Sequence, residues 1–122
     1  MSEQSEFLKK RSSVFSARLI RFIDTMPHRT TADVLARQVV RSATSVAANY
    51  RAACRARSRA EFAAKLHIVQ EEADETVYWL ELIGQTSSSP SEELNWLRKE
   101  ATELTAIFTA ACATARRNLK RI

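Results

Sequence analysis

Glycine is nearly missing from this 122-residue chain, which has one, alongside two prolines, two cysteines and two histidines. A single glycine cannot supply the φ > 0 corners of a many-stranded sheet, nor the repeated glycines of a dinucleotide fingerprint or a phosphate-cradling loop. Most β folds and nucleotide-binding α/β folds are therefore excluded. Cys54 and Cys112 stand too far apart in sequence to form a metal-ligand pattern and are too few for a disulfide framework; they read as free thiols in a reducing compartment. Long apolar runs are absent too. Charges interrupt every hydrophobic stretch and nothing resembles a signal peptide or a membrane span, so the expected location is the cytoplasm, with no membrane partner.

The shortage of histidine bears on metals. A bundle that holds a di-iron centre uses Glu-x-x-His on two helices plus a Glu on each of two others. Glu71, Glu72, Asp74, Glu75 and Glu81 lack that company, because His28 falls in a predicted loop and His67 has no Glu three residues before it. His67 reads instead as a partly exposed helix residue. No metal and no cofactor are expected, and with no nucleophile-base pair in view the chain is not expected to be an enzyme.

What is present is helical periodicity. The composition, 45% hydrophobic and 27% charged over 122 residues, suits one domain burying about two thirds of its unfolded surface. Leu8, Phe15, Leu19, Phe22 and Met26 form one stripe over roughly 6–25, and Pro27 stops that helix. Thr30-x-x-Asp33 reads as a capping box opening a second helix over about 32–56, with Leu35, Val39, Val46 and Tyr50 facing inward and Ala43, Ala47 and Ala53 allowing close approach. A second box, Ser58-x-x-Glu61, follows at once, so the second and third helices form a hairpin. The third, about 59–84, carries Phe62, Leu66, Val69, Ala73, Val77, Leu80 and Ile83 and is predicted to end on Gly84. Ser89-Pro90-Ser91-Glu92 starts the fourth, about 90–119, with Leu94, Leu97, Ala101, Leu104, Phe108, Ala111 and Ala115 inward. The prediction over 1–122 is an all-α, single antiparallel up-down-up-down four-helix bundle.

That topology gives the charge a direction. Nineteen Lys and Arg against fourteen Asp and Glu leave +5, which permits a nucleic-acid partner. The start of helix one, the two-three corner and the end of helix four share a pole. It collects eleven of the nineteen basic residues: Lys9, Lys10 and Arg11, then Arg51, Arg55, Arg57 and Arg59, then Arg116, Arg117, Lys120 and Arg121. Complementing helix C-termini accounts for part of this cluster, and eleven exceeds what capping needs. Two uses remain open, a solvated basic end or an anion-binding one. The candidate phosphate contacts are Arg51, Arg55, Arg57, Arg59 and Lys65, with Arg116, Arg117, Lys120 and Arg121 as a second patch. Along the hairpin, Arg41 falls opposite Glu72 to Glu75 and Arg37 opposite Glu81, as ion pairs that fix register.

Helix three also has a second apolar sector. Ile68, Trp79 and Leu82, accompanied by Glu72 and Glu75, lie well away from its main stripe at 100° per residue. A wide core within one bundle would use such a sector, and so would a subunit contact; the aromatic favours self-association. Trp96 and Ile107 lie off the stripe of helix four in the same way.

The stretch from Thr44 to Ile83 resembles a family of small bacterial four-helix proteins read from the intervening sequences of 23S ribosomal RNA genes, which is similar to the accessory variability protein of diversity-generating retroelements. The resemblance is carried by Ser45, Asn49, Arg51, Ala53, Arg55, Ser58, Phe62, Lys65, Glu72, Ala73, Glu75, Thr76 and the run Tyr78-Trp79-Leu80-Glu81-Leu82. It implies a cytoplasmic four-helix bundle assembling as a ring-like homopentamer, with a basic surface suited to nucleic acid and no known catalytic activity. Members often carry Glu where Ala52 stands, so the hairpin corner is more basic here.

Overall fold

The computed structural model describes residues 2–87 and 91–120. They form four helices, α1 (Glu3–Asp24), α2 (Thr30–Ala53), α3 (Arg59–Thr86) and α4 (Glu92–Leu119), and no strand occurs among the described residues. Each helix packs on two others, α1 and α3 both lying against α2 and α4, so the four apolar stripes meet in one core. Leu19, Val39, Leu66, Val69, Leu97 and Phe108 are all but inaccessible there. Each such side chain contributes about 1.5–3 kcal/mol by leaving water. Contacts between α1 and α4 run in opposite order along the two helices: Arg11 meets Glu100 and Glu103, while Arg18, two turns on, meets Glu93.

The seams differ in chemistry. Between α2 and α3 lies a buried hydroxyl pair, Thr76 Oγ1 and Ser42 Oγ at 2.8 Å, with Thr76 also bonded to the Glu72 carbonyl. Ser16 on α1 reaches the Ala43 carbonyl at 3.3 Å. Every buried side-chain polar atom among the described residues has a partner, so these hydroxyls fix register without the cost of an unmet donor. The α1–α4 seam is held instead by charge. Arg11 donates Nε and Nη2 to the two oxygens of Glu100, both at 2.7 Å, and Nη2 again to Glu103 at 2.8 Å. Arg18 grips Glu93 and stacks over the Trp96 ring at 3.5 Å.

The helix boundaries shift where local bonding overrides the cap signals. Ser58 caps α3 as its spacing predicts, accepting from the Glu61 N–H at 3.0 Å; the Glu61 carboxylate returns to the Arg57 N–H, at 3.2 Å, not to that of Ser58. Thr30 is not a cap. It is the first residue of α2, because the Asp33 N–H its hydroxyl was to hold is already taken by the Arg29 carbonyl at 2.8 Å. Helix α2 also ends earlier than predicted, at Ala53, where Cys54 to Ala56 tighten into a turn bonded to the Tyr50, Ala52 and Ala53 carbonyls.

Gly84 does not end α3 either. The helix continues to Thr86, Ser87 caps it in extended conformation, and no glycine has positive φ. The nearest group to a Cβ at 84 would be the tip of the exposed Arg98 side chain, with Nη1 at 3.1 Å. Helix α4 is capped by Ser91, which accepts from the Leu94 N–H at 3.1 Å; the predicted start at Ser89 and Pro90 lies outside the described residues.

Candidate nucleic-acid interface

At the end of the bundle where α1 begins and α4 finishes, the helices leave an open cleft of about 840 Å³. Its cause is local. The α4 residues facing α1 there are Ala110, Ala111, Thr114 and Ala115, too short to reach Gln4 and Ser5 across the gap. Leu8, Tyr50 and Leu66 form the floor, Phe62 and Ile107 stand as walls, and Arg59 is on the rim. Tyr50 is buried against Phe108, ring centroids 5.1 Å apart. Its hydroxyl, protonated at neutral pH like any phenol, is pushed up to about 12 by burial.

At this end of the bundle lie most of the predicted basic contacts, of which Arg59 lines the cleft. Arg51, Arg55 and Arg59 are exposed, and none has a carboxylate partner among the described residues. The same holds for Lys10, Arg117 and Lys120, and the half-buried Lys65 also lacks a carboxylate partner among the described residues. Arg57 is 3.7 Å from Glu61 with its own side chain 91% exposed, a pairing worth little. Arg116 donates to His67 Nδ1 at 2.7 Å, while His67 Nε2 lies 3.1 Å from Glu71. Arg117 leans over α4 to donate to Thr114 Oγ1 at 3.2 Å. Arg121 lies outside the described residues. Two of the eleven are spoken for: Lys9 pairs with Glu6 at 2.8 Å and Arg11 is taken up by Glu100 and Glu103.

The second set of predicted residues lies on the outward side of α3. Ile68 is 40% exposed, and Tyr78, ten residues further along α3 with its ring against Trp79, is 54% exposed. Trp79 and Leu82 are half-buried, with the Trp79 indole N–H donating to Glu75 at 3.0 Å. Glu72 and Glu75 are both held by Arg41 of the same chain, Glu72 at 3.0 Å. The Arg41 guanidinium, then the Trp79 N–H, hold the Glu75 carboxyl below the usual carboxylate range, and Arg41 itself is raised, mainly by Glu75. Arg37 and Glu81 make no ion pair among the described residues; Arg37 faces solvent. Trp96, off the stripe of its helix, is covered from within by Arg18.

Sequence reasoning passed over the cleft itself and the Arg117–Thr114 contact. A run of small residues on α4 was the available signal, and it becomes legible only once α1 is placed opposite. Among the described residues there is no group of three or more His, Cys, Asp and Glu able to hold a metal ion, and no helix long and apolar enough to cross a membrane.

The family model for the 23S rRNA-intervening sequence protein matches residues 6–110. A crystal structure of a protein with unknown function from the S23 ribosomal protein family of Bacteroides thetaiotaomicron is 32% identical, covering 89% of this chain and 97% of that one, with a TM-score of 0.79. No match is found among curated proteins.

Proposed function

We propose a function from the premise that the chain belongs to the 23S rRNA-intervening sequence protein family: it is a non-catalytic accessory factor that binds RNA or structured DNA through the basic end of its bundle. It works in the cytoplasm as a homo-oligomer, a pentamer as the sequence resemblance implies. The observation carrying this reading is the set Arg51, Arg55, Arg59, Arg117 and Lys120, gathered at one end without carboxylate partners among the described residues. Guanidinium groups so placed offer forked donors to phosphate oxygens. They contact backbone, so affinity is strong at low salt and sequence preference weak. Self-association is supported by Ile68 and Tyr78, two large side chains that α3 leaves exposed.

A scaffold reading, in which these arginines pair with Glu72 and Glu75 of another subunit, is disfavoured because Arg41 already holds both carboxylates within the chain. One preparation tests both. Labelled RNA is titrated at low salt against the wild type and the R51A/R55A/R59A variant, with oligomer mass followed by light scattering. The variant is expected to bind at least about tenfold more weakly at unchanged mass. Equal binding, or an oligomer that disperses in the variant, overturns the proposal.

A further inference from the structure

We infer that the cleft at the basic end takes an unpaired nucleobase, so that the bundle grips a single strand or a strand end in preference to an intact duplex. The inference rests on the nucleic-acid reading and adds to it what the arginines alone leave open: which form of nucleic acid is held.

Size and lining come first. At about 840 Å³ the cleft falls within the range of small-molecule sites, roughly 300–1,000 Å³. Phe62 and Ile107 give it apolar walls, and the amides of Gln4 and Asn118 stand among its lining residues. Apolar walls with a few amide and hydroxyl groups are what a planar heterocycle requires, since its faces prefer aromatic and aliphatic contact and its edges need donors and acceptors. The Tyr50 hydroxyl on the floor adds a hydrogen-bonding group.

Charge then selects the occupant. Arg59, from α3, lines the rim. Arg117, from α4, reaches back to Thr114, itself a lining residue. Two guanidiniums from different helices therefore flank one apolar cavity, and neither has a carboxylate partner among the described residues. A small amphiphile with one anionic head would use one of them. A polynucleotide uses both, because each nucleotide has a phosphate on either side: the backbone passes from Arg59 to Arg117 while the base between them turns inward. A duplex can offer that base only by unpairing and unstacking it, which costs a few kcal/mol.

The test fills the cleft from an exposed position. Thr114→Trp on α4 occupies the space where the base would lie, and Thr114→Val removes the hydroxyl without filling it. Ala110→Phe, also exposed and lining, serves if the tryptophan variant fails to fold. Probes are labelled single strands of about twelve nucleotides, as RNA and as DNA, and a blunt duplex of the same length; a 2-aminopurine in each strand reports insertion. Filling the cleft is expected to weaken both single strands about tenfold and to remove the 2-aminopurine signal, leaving duplex binding unchanged. Thr114→Val, which releases Arg117 without filling the cleft, is expected to keep the 2-aminopurine signal and to weaken the single strands less than the filled variants do. Unchanged single-strand affinity and signal in the filled variants, with R51A/R55A/R59A still impaired, overturns base capture and leaves the parent reading standing. Absence of binding to any strand overturns both.

Discussion

At one end of the bundle, α1's first turns and α4's last leave a cleft of about 840 Å³; at the other, Phe22, Met26, Leu35 and Leu94 line one of about 720 Å³. Both open where helices part around short or turning residues, and both have apolar floors. Charge separates them. The second end mixes Arg18, Arg21 and Arg29 with Asp24, Asp33, Glu92 and Glu93, and Arg18 spends its guanidinium on Glu93 and Trp96. At the first end Arg51, Arg55 and Arg59 have no carboxylate partner among the described residues, and Arg117 bonds only to the Thr114 hydroxyl. Shape alone is thus a by-product of closing four helices around a core. On the proposed function it is the local excess of arginine over carboxylate, not shape, that sets one end apart.

The strongest way to break this contrast is to strip charge from each end in turn. Removing Arg21, Arg29 and Arg37 together, all exposed near the second end, is expected to change RNA affinity less than about twofold, against at least tenfold for R51A/R55A/R59A at equal change in net charge. Equal losses would mean that total charge, and not its placement, attracts the ligand.

The converse contrast concerns stability. The Arg18 guanidinium holds the Glu93 carboxyl below its ordinary range, chiefly by hydrogen bonding. A carboxyl lowered in the native state stabilises fully above its unfolded value and loses that contribution as pH falls through the folded one. Thermal midpoints are therefore expected to fall as pH drops below about 4.5. Glu93→Gln is expected to flatten part of that fall, while Arg51→Ala leaves the curve in place. A Glu93→Gln curve parallel to the wild type would refute the assignment.

The smallest expected effect tests packing at the second end. Gly84→Ala is expected to stabilise the chain by about 0.5 kcal/mol in urea unfolding, because Gly84 has helical backbone in the last turn of α3 and the neighbouring Arg98 guanidinium belongs to an exposed side chain that can swing away. A destabilised variant would mean that Arg98 is held there.

Much of this was readable from residues in order. The four stripes, the Ser58 cap and the Arg41 pairing with Glu72 and Glu75 depend on spacing within a helix or across one short turn, which sequence displays directly. Gly84 and Thr30 misled because a cap signal competes with backbone bonds that the folded chain satisfies otherwise. Arg11 was counted with the basic pole, yet Glu100 and Glu103 claim it from α4, some ninety positions away in sequence. The cleft was invisible for a related reason: a cavity is made by what fails to fill it, and Ala110, Ala111 and Ala115 are ordinary helix formers until α1 is placed opposite them.

The central claim is that a defined set of arginines at one end meets phosphate, and the dependence of RNA affinity on salt tests it most directly. Log affinity against log salt concentration should fall linearly in the wild type, and the R51A/R55A/R59A slope should be shallower by about 2 to 3, since each phosphate contact contributes roughly 0.7–0.9. Parallel lines for the two proteins would contradict it.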